Sequence, residues 1–180
     1  MSSQAALCGT VPSRQDIVAI AAQTENRVIG RDGGMPWHLP ADFAHFRALS
    51  VGKPNIMGRK VFDTLRRKPL PERVNIVLTR NENLKFDGCL IAHSPEEALQ
   101  LAGDAPEIAI IGGEEIYRLY WDRLTRLEMT LIHAELDGDT FFPEIGPEWE
   151  LAQETFRPAD EKNRYDLTFQ TWRRRGSGQP

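Results

Sequence analysis

Short apolar runs rich in β-branched residues alternate along the chain with amphipathic stretches. Ile17 to Ala22 (IVAIAA), Asn55 to Met57, Val74 to Leu78 (VNIVL), Cys89 to Ala92, Ile108 to Ile111 (IAII) and Leu127 to His133 read as strands. Their near-continuous apolar character suits strands covered on both faces, as in a parallel sheet. Pro40 to Leu49, Lys60 to Leu65, Pro95 to Leu101 and Glu114 to Trp121 have helical spacing, and Ser94 before Pro95 supplies an N-cap with proline in the first turn. Strand and helix in alternation imply right-handed crossovers and an α/β sheet. Leu151 to Phe156 and Tyr165 to Trp172 (YDLTFQTW) then alternate in period two with no helix between them, so they should pair antiparallel at one edge of the sheet.

The 180 residues suit one domain, and 41% hydrophobic with 27% charged residues is a globular balance. A net charge of -4 argues against a protein that grips nucleic-acid phosphates, which normally shows as a basic surplus. The apolar runs are far shorter than a membrane span, so a soluble chain is expected. Cys8 and Cys89 cannot form a disulfide framework, which fits a reducing cytoplasm. The first fifteen residues (MSSQAALCGTVPSRQ) read as a flexible arm, without the apolar stretch of about 7–15 residues that a secretory signal needs. Arg173 to Pro180 (RRRGSGQP) passes from a basic triplet to a Gly/Ser tail and reads as a solvated terminus.

Ligands of open α/β sheets gather at the carboxyl ends of the strands. Three such positions carry phosphate-type chemistry. Gly58-Arg59-Lys60 couples a turn glycine to two cations where a helix starts; Thr79-Arg80 offers a hydroxyl and a guanidinium; Gly112-Gly113 lets a ligand approach the backbone closely before a helix. Each pattern alone is weak, and their agreement on one end of one sheet gives them weight. Neither a G-x-G-x-x-G after a strand nor a G-x-x-x-x-G-K-[ST] is present. His133-Ala134-Glu135 has the H-x-E of zinc deaminases without the P-C-x-x-C partner, so no metal is expected.

The segment Val28 to Phe46 (VIGRDGGMPWHLPADFAHF) carries the most information. Gly30, Gly33 and Gly34 surround a charged tip, and such a loop can close over a ligand. Pro40 then starts a helix with Asp42 in its first turn, where an Asp is usually a partner of the helix dipole. Phe46 shares its face, so the carboxylate sits on an apolar stripe and would be costly to bury without a polar partner. A flat heterocycle presenting paired N–H donors would satisfy it.

These segments resemble the dihydrofolate reductases. Arg27-Val28-Ile29-Gly30, Met35-Pro36-Trp37-His38-Leu39-Pro40-Ala41-Asp42, Ile56-Met57-Gly58-Arg59-Lys60, Pro69-Leu70-Pro71, Ile111-Gly112-Gly113 with Tyr117, and Gly138-Asp139-Thr140 with Phe142-Pro143 recur in that family's order and spacing. The resemblance covers roughly residues 16 to 173, so the expected organisation is an arm over 1–15, a catalytic domain over 16–173 and a flexible tail over 174–180. It implies a single α/β domain: a mixed, mostly parallel sheet of about eight strands, about four flanking helices and an antiparallel C-terminal edge. It also implies hydride transfer from NADPH to 7,8-dihydrofolate, feeding one-carbon metabolism and thymidylate synthesis, in a cytoplasmic monomer that antifolates could inhibit.

On the substrate side the resemblance makes Asp42 the carboxylate that binds the pterin edge and favours protonated N5, with Trp37 and Thr130 supporting its polar network. Met35 belongs to the closing loop. Ile20 and Ala21 line the pterin, Phe43, Phe46 and Leu65 wall the pterin and benzoyl groups, and Ile111 and Tyr117 lie where the two ligands meet. Arg73 grips the glutamate α-carboxylate, a bidentate task suited to guanidinium, and Lys68 lies by the folate tail. On the cofactor side it implies Ala22 and the loop Val28, Ile29, Gly30, Arg31, Asp32, Gly33 and Gly34 at the nicotinamide, and Gly58, Arg59, Lys60 and Val61 at the pyrophosphate. Leu78, Thr79, Arg80 and His93 form the adenosine corner, with Gly112, Gly113, Glu114, Glu115, Ile116, Tyr117 and Leu119 under the diphosphate. Arg59 and Arg80 give a reason for NADPH over NADH, since both can pair with the extra phosphate.

Two departures stand out. Val61 replaces a hydroxyl-bearing residue common in the family, and Arg66-Arg67-Lys68 is one residue longer and more basic than in short bacterial members. Two other readings share part of this pattern: a flavin-pathway pyrimidine reductase of the same fold, and a non-catalytic nucleotide-binding module. Asp42 beside the full loop and both phosphate corners argues against the second.

Overall fold

The computed structural model describes residues 15–176, so the arm expected over 1–15, apart from Gln15, and the last four residues lie outside it. In chain order the strands and helices are β1 (Asp16–Thr24), β2 (Val28–Gly30), α1 (Pro40–Ser50), β3 (Pro54–Gly58), α2 (Arg59–Thr64), β4 (Val74–Leu78), β5 (Cys89–Ala92), α3 (Pro95–Ala102), β6 (Glu107–Ile110), α4 (Glu114–Tyr120), β7 (Arg126–Ile132), β8 (Thr140–Phe141), β9 (Trp149–Arg157) and β10 (Leu167–Arg174). The main sheet has eight strands in the order β5-β4-β3-β6-β1-β7-β10-β9. Strands β5 through β7 of that order are parallel, and β10 runs antiparallel to both β7 and β9.

The apolar runs form the central strands because both sheet faces are covered. Ile56, Met57, Ile76, Val77, Ile108 and Ile110 are fully buried. The last two strands pair antiparallel as their period-two patterns predict, β9 being the edge strand with most of its residues facing solvent and β10 lying between it and β7. Ser94 caps α3 as expected, its hydroxyl accepting a 3.1 Å bond from Glu97 N. Chain return places β6 between β3 and β1, and the carboxyl ends of these strands open toward a single crevice, as topology dictates for such sheets.

Several expectations need correction. The segment Val28 to Gly34 is partly sheet: β2 pairs antiparallel with β8, elements of three and two residues that show no period in the sequence. The basic triplet is a solvated terminus only in part, for Arg173 and Arg175 are exposed while Arg174 is half-buried. Strand β10 extends through Arg174, whose guanidinium donates to Leu124 O and Trp121 O and stacks 4.5 Å from the Trp149 ring centroid. Arg175 N–H groups reach Glu148 O and Pro147 O. At the other end Gln15, placed in the arm by sequence, donates 2.8 Å bonds to Gly103 O and Ala105 O. Because Arg174→Ala strips a charged donor from two carbonyls and a cation from an indole face, it should cost about 1–3 kcal/mol in denaturant unfolding.

Candidate active site

Helix α1 carries the central carboxylate, and its position is set from a distance. Leu39 at its N-cap offers no side-chain acceptor, and Pro40 opens its first turn. The orphan N–H of Ala41 is accepted by Asn163 Oδ1 at 2.9 Å, across 122 residues of chain. Asn163 is itself fixed by Asp160, whose carboxyl is held well below the ordinary range by bonds from Asn163 and Arg157. Asp42, in this anchored first turn, is buried. Desolvation raises its pKa, and a hydrogen bond with Thr130 of β7 partly offsets that rise.

A cavity of about 1660 Å³ runs across the carboxyl ends of the strands. Single small-molecule sites are usually roughly 300–1,000 Å³, so this one has room for two ligands side by side. One half is walled by Ile20, Ala21, Asp42, Phe43, Phe46, Leu65, Ile111 and Thr130. Phe43 is 41% exposed and Met35 46%, which is high for large apolar groups and follows from their facing the cleft. The stripe around Asp42 is therefore a cavity wall more than a core face. Arg73 closes this half. Asn75 clamps the preceding turn by a two-way pair of 2.9 Å bonds with Leu70, and Arg73 lies with its guanidinium 5.8 Å from the Phe46 ring. Its Nε is buried with no partner among the described residues, and desolvation with the nearby Arg47 lowers its pKa.

The other half is lined by Gly58, Arg59, Lys60 and Val61, by Leu78, Thr79, Arg80 and His93, and by Gly113, Glu114, Glu115, Ile116 and Leu119. Backbone bonds hold its floor: Gly58 N donates to Gly112 O at 2.8 Å and Ile111 N to Ile56 O at 2.9 Å. A side chain at Gly112 is not tolerated, since its φ is +106° and a Cβ would lie 3.0 Å from the Tyr117 ring. Tyr117, at the junction of the halves, donates to Ile20 O at 2.7 Å, and burial and Asp42 raise its pKa. Ala22, Ile29, Gly30, Gly33, Gly34 and Met35 complete the junction. The loop turns on Asp32-Gly33, both with positive φ, between two Arg31–Gly34 backbone bonds, a hairpin turn of the kind that a D-G pair favours. It is docked through Asp32 N to Asp139 Oδ2 and Asp139 N to Gly30 O.

Six residues assigned from sequence stand away from the cavity wall. Val28 is fully buried in a cluster with Trp37, Leu39, Ile132 and Leu167, because β2 turns it inward. Trp37 lies in that cluster, its Nε1 buried with no partner among the described residues. Arg31 and Asp32 form the hairpin tip, and Gly112 lies under the floor. Lys68 is likewise outside; Arg67 is the member of its triplet that lines the cavity, while bonded to Asp63 and 5.2 Å from the Phe86 ring.

Sequence reasoning missed His45, Arg47, Thr64, Leu70, Pro71, Asn81, Leu84, Pro95 and Thr140 in the lining. Helical spacing could have found His45, three residues past Asp42. It stacks on Phe169 at 4.0 Å, its Nε2 is buried without a partner among the described residues, and desolvation lowers its pKa against the pull of Glu128. His133, by contrast, is engaged with Glu25 and Thr168 at the far side of β7.

An open α/β sheet with a two-ligand cleft, cationic at one end and built round a buried carboxylate at the other, defines a nucleotide-dependent enzyme acting on a flat polar substrate. The family model for dihydrofolate reductase matches residues 16–174. Dihydrofolate reductase of Haemophilus influenzae is 49% identical over 151 residues, covering 83% of this chain and 93% of that protein. The type 3 dihydrofolate reductase of Salmonella typhimurium is 44% identical over 156 residues, covering 86% and 96%. A solved dihydrofolate reductase of Enterococcus faecalis, complexed with NADP(H) and RAB-propyl, superposes with a TM-score of 0.83 at 37% identity and covers 89% of this chain and 96% of its own. The chain belongs to the dihydrofolate reductase family.

Proposed function

We propose that this cleft reduces 7,8-dihydrofolate to 5,6,7,8-tetrahydrofolate with NADPH, and that the residues lining its two halves divide the work between pterin and cofactor. The observation that carries the reading is the buried Asp42, bonded to Thr130 and sharing one cavity wall with a cation-rich corner. A pterin presents paired N–H donors along one edge, which two carboxylate oxygens accept.

The cofactor half fits NADPH. Its glycine floor keeps side chains off the backbone, and Arg59, Lys60 and Arg80 supply cations for a diphosphate and a 2′-phosphate. When bound, NADPH supplies the hydride. The protein's own part is placement and charge. Ile20, Phe43 and Phe46 hold the pterin flat, Arg73 takes the glutamate carboxylate, and Arg67, in place of Lys68, lies along the folate tail. Asp42 stabilises the positive charge that develops when N5 is protonated, in a cavity that the Met35 hairpin screens from water. Trp37 Nε1, a buried donor without an acceptor among the described residues, suits a water-relayed path for that proton. Antifolates offering the same paired donors to Asp42 would compete for this place.

The catalytic domain that carries this activity spans residues 16–173 or 174, the stretch over which the dihydrofolate reductase family model matches. Among the described residues no helix is long and apolar enough to cross a membrane.

Arg80→Ala should raise KM for NADPH roughly tenfold, the scale of one charged hydrogen bond, and move KM for NADH far less. Steady-state rates with each cofactor check this, and equal losses for both would remove Arg80 from the 2′-phosphate corner.

A further inference from the structure

We infer that Glu115 limits the preference for NADPH over NADH by holding the Arg80 guanidinium whenever the 2′-phosphate is absent. The inference rests on the reading of Arg80 given above. Arg80 follows β4 and Glu115 lies in the first turn of α4, so two separate strand ends bring them to the same end of the cleft, which both line. Arg80 Nη2 stands 3.6 Å from Glu115 Oε1.

The neighbouring acid does different work. Glu114 Oε1 accepts a 2.6 Å bond from Phe141 N, and its other oxygen is 3.7 Å from Arg118. Glu114 thus ties α4 to β8, whereas Arg80 is the ion-pair partner of Glu115 among the described residues. Arg59, the second cation of the corner, also has a carboxylate: its Nη1 is 3.0 Å from Asp63, which Arg67 shares at 3.0 Å. Asp63 is tied into α2 by both arginines. Among the described residues Glu115 is held by one solvated contact, the Arg80 and Glu115 side chains being 94% and 72% exposed.

A pair so exposed is weak and exchanges readily. A 2′-phosphate brings about two negative charges and several acceptor oxygens, so it outcompetes a single carboxylate for the guanidinium. Glu115 must then either swing away or remain as a like charge beside the phosphate. Both outcomes penalise a ligand carrying the 2′-phosphate. NADH, with a hydroxyl there, needs no such exchange and meets no such repulsion. Glu115 is therefore a specificity-determining residue that opposes the selectivity Arg59 and Arg80 create.

The test uses binding rather than turnover. Calorimetric titration of the full chain with adenosine 2′,5′-bisphosphate and with 5′-AMP isolates the 2′-phosphate contribution. Glu115→Gln should bind the bisphosphate roughly two- to fivefold more tightly at low ionic strength, with a much smaller change for 5′-AMP. The gain should shrink in high salt. If Arg80→Ala weakens bisphosphate binding but Glu115→Gln leaves it unchanged or weaker, the inference about Glu115 falls while the site reading stands. If Arg80→Ala has no effect on the bisphosphate, the site reading itself falls. Retention of the whole Glu115→Gln gain in an Arg80→Ala background would also overturn the inference, because the carboxylate would then act without holding Arg80.

Discussion

Asp42→Asn will lower kcat/KM for dihydrofolate by roughly a hundred- to ten-thousandfold at neutral pH while NADPH still binds. The substitution keeps the shape and an oxygen able to accept from Thr130, and removes only the charge. Two functions go with that charge: pairing with the pterin edge, and stabilising the cation at N5. The same variant should be more stable than the parent without ligands. Burial raises the Asp42 pKa, so the folded state is penalised for carrying the ionised group. Below the ordinary carboxylate range the group is protonated in both folded and unfolded chains, and the penalty vanishes. It grows as pH rises from that range through the raised folded value. Thermal unfolding should therefore show a higher Tm for Asp42→Asn at pH 7 and a gap that closes on acidification. Near-parental turnover in this variant would remove Asp42 from the chemistry.

Arg73→Ala will raise KM for dihydrofolate roughly ten- to a hundredfold and change kcat little. The guanidinium stands at the cavity end away from the phosphate corner, with a buried Nε that has no partner among the described residues. A carboxylate completes it with charge-assisted bonds, and Asn75 holds the turn that aims it. Because this contact is remote from the reacting atoms, its loss affects ground state and transition state alike. A dihydropterin without the benzoylglutamate tail supplies the control. It should be reduced equally by parent and variant, and a large kcat loss on that short substrate would mean that Arg73 shapes the pterin site instead.

What could be read from sequence follows the strength of local signals. The central strands stood out because strands buried on both faces must be apolar at nearly every position, and the last two because their sequences alternate in period two with no helix between them. Strands β2 and β8 are too short for any period, and Val28, which looks like one more loop residue, is a core residue only because β8 pairs beside it. The Asp32-Gly33 turn was the available clue. The anchoring of α1 by Asn163 is a contact between distant segments, invisible to windows of local pattern. Which member of Arg66-Arg67-Lys68 lines the cavity goes with a local backbone conformation that the sequence does not display: Arg66 and Arg67 both have positive φ, and Arg67, not Lys68, stands in the lining. The net charge of -4 also concealed the basic corner of Arg59, Lys60 and Arg80; Asp63, which partly neutralises it, lies at i,i+4 from Arg59 and was legible from helical spacing, whereas Glu115 meets Arg80 only in three dimensions.

The most direct test mixes the full chain with NADPH and 7,8-dihydrofolate and follows loss of the reduced-nicotinamide absorbance, with a phosphorylated ribosylaminopyrimidine, whose sugar carbon can accept a hydride, as the competing substrate. The predicted result is consumption of one NADPH per dihydrofolate, blocked by a diaminopyrimidine antifolate and absent with the pyrimidine. Consumption with the ribosylaminopyrimidine and none with dihydrofolate would contradict the account.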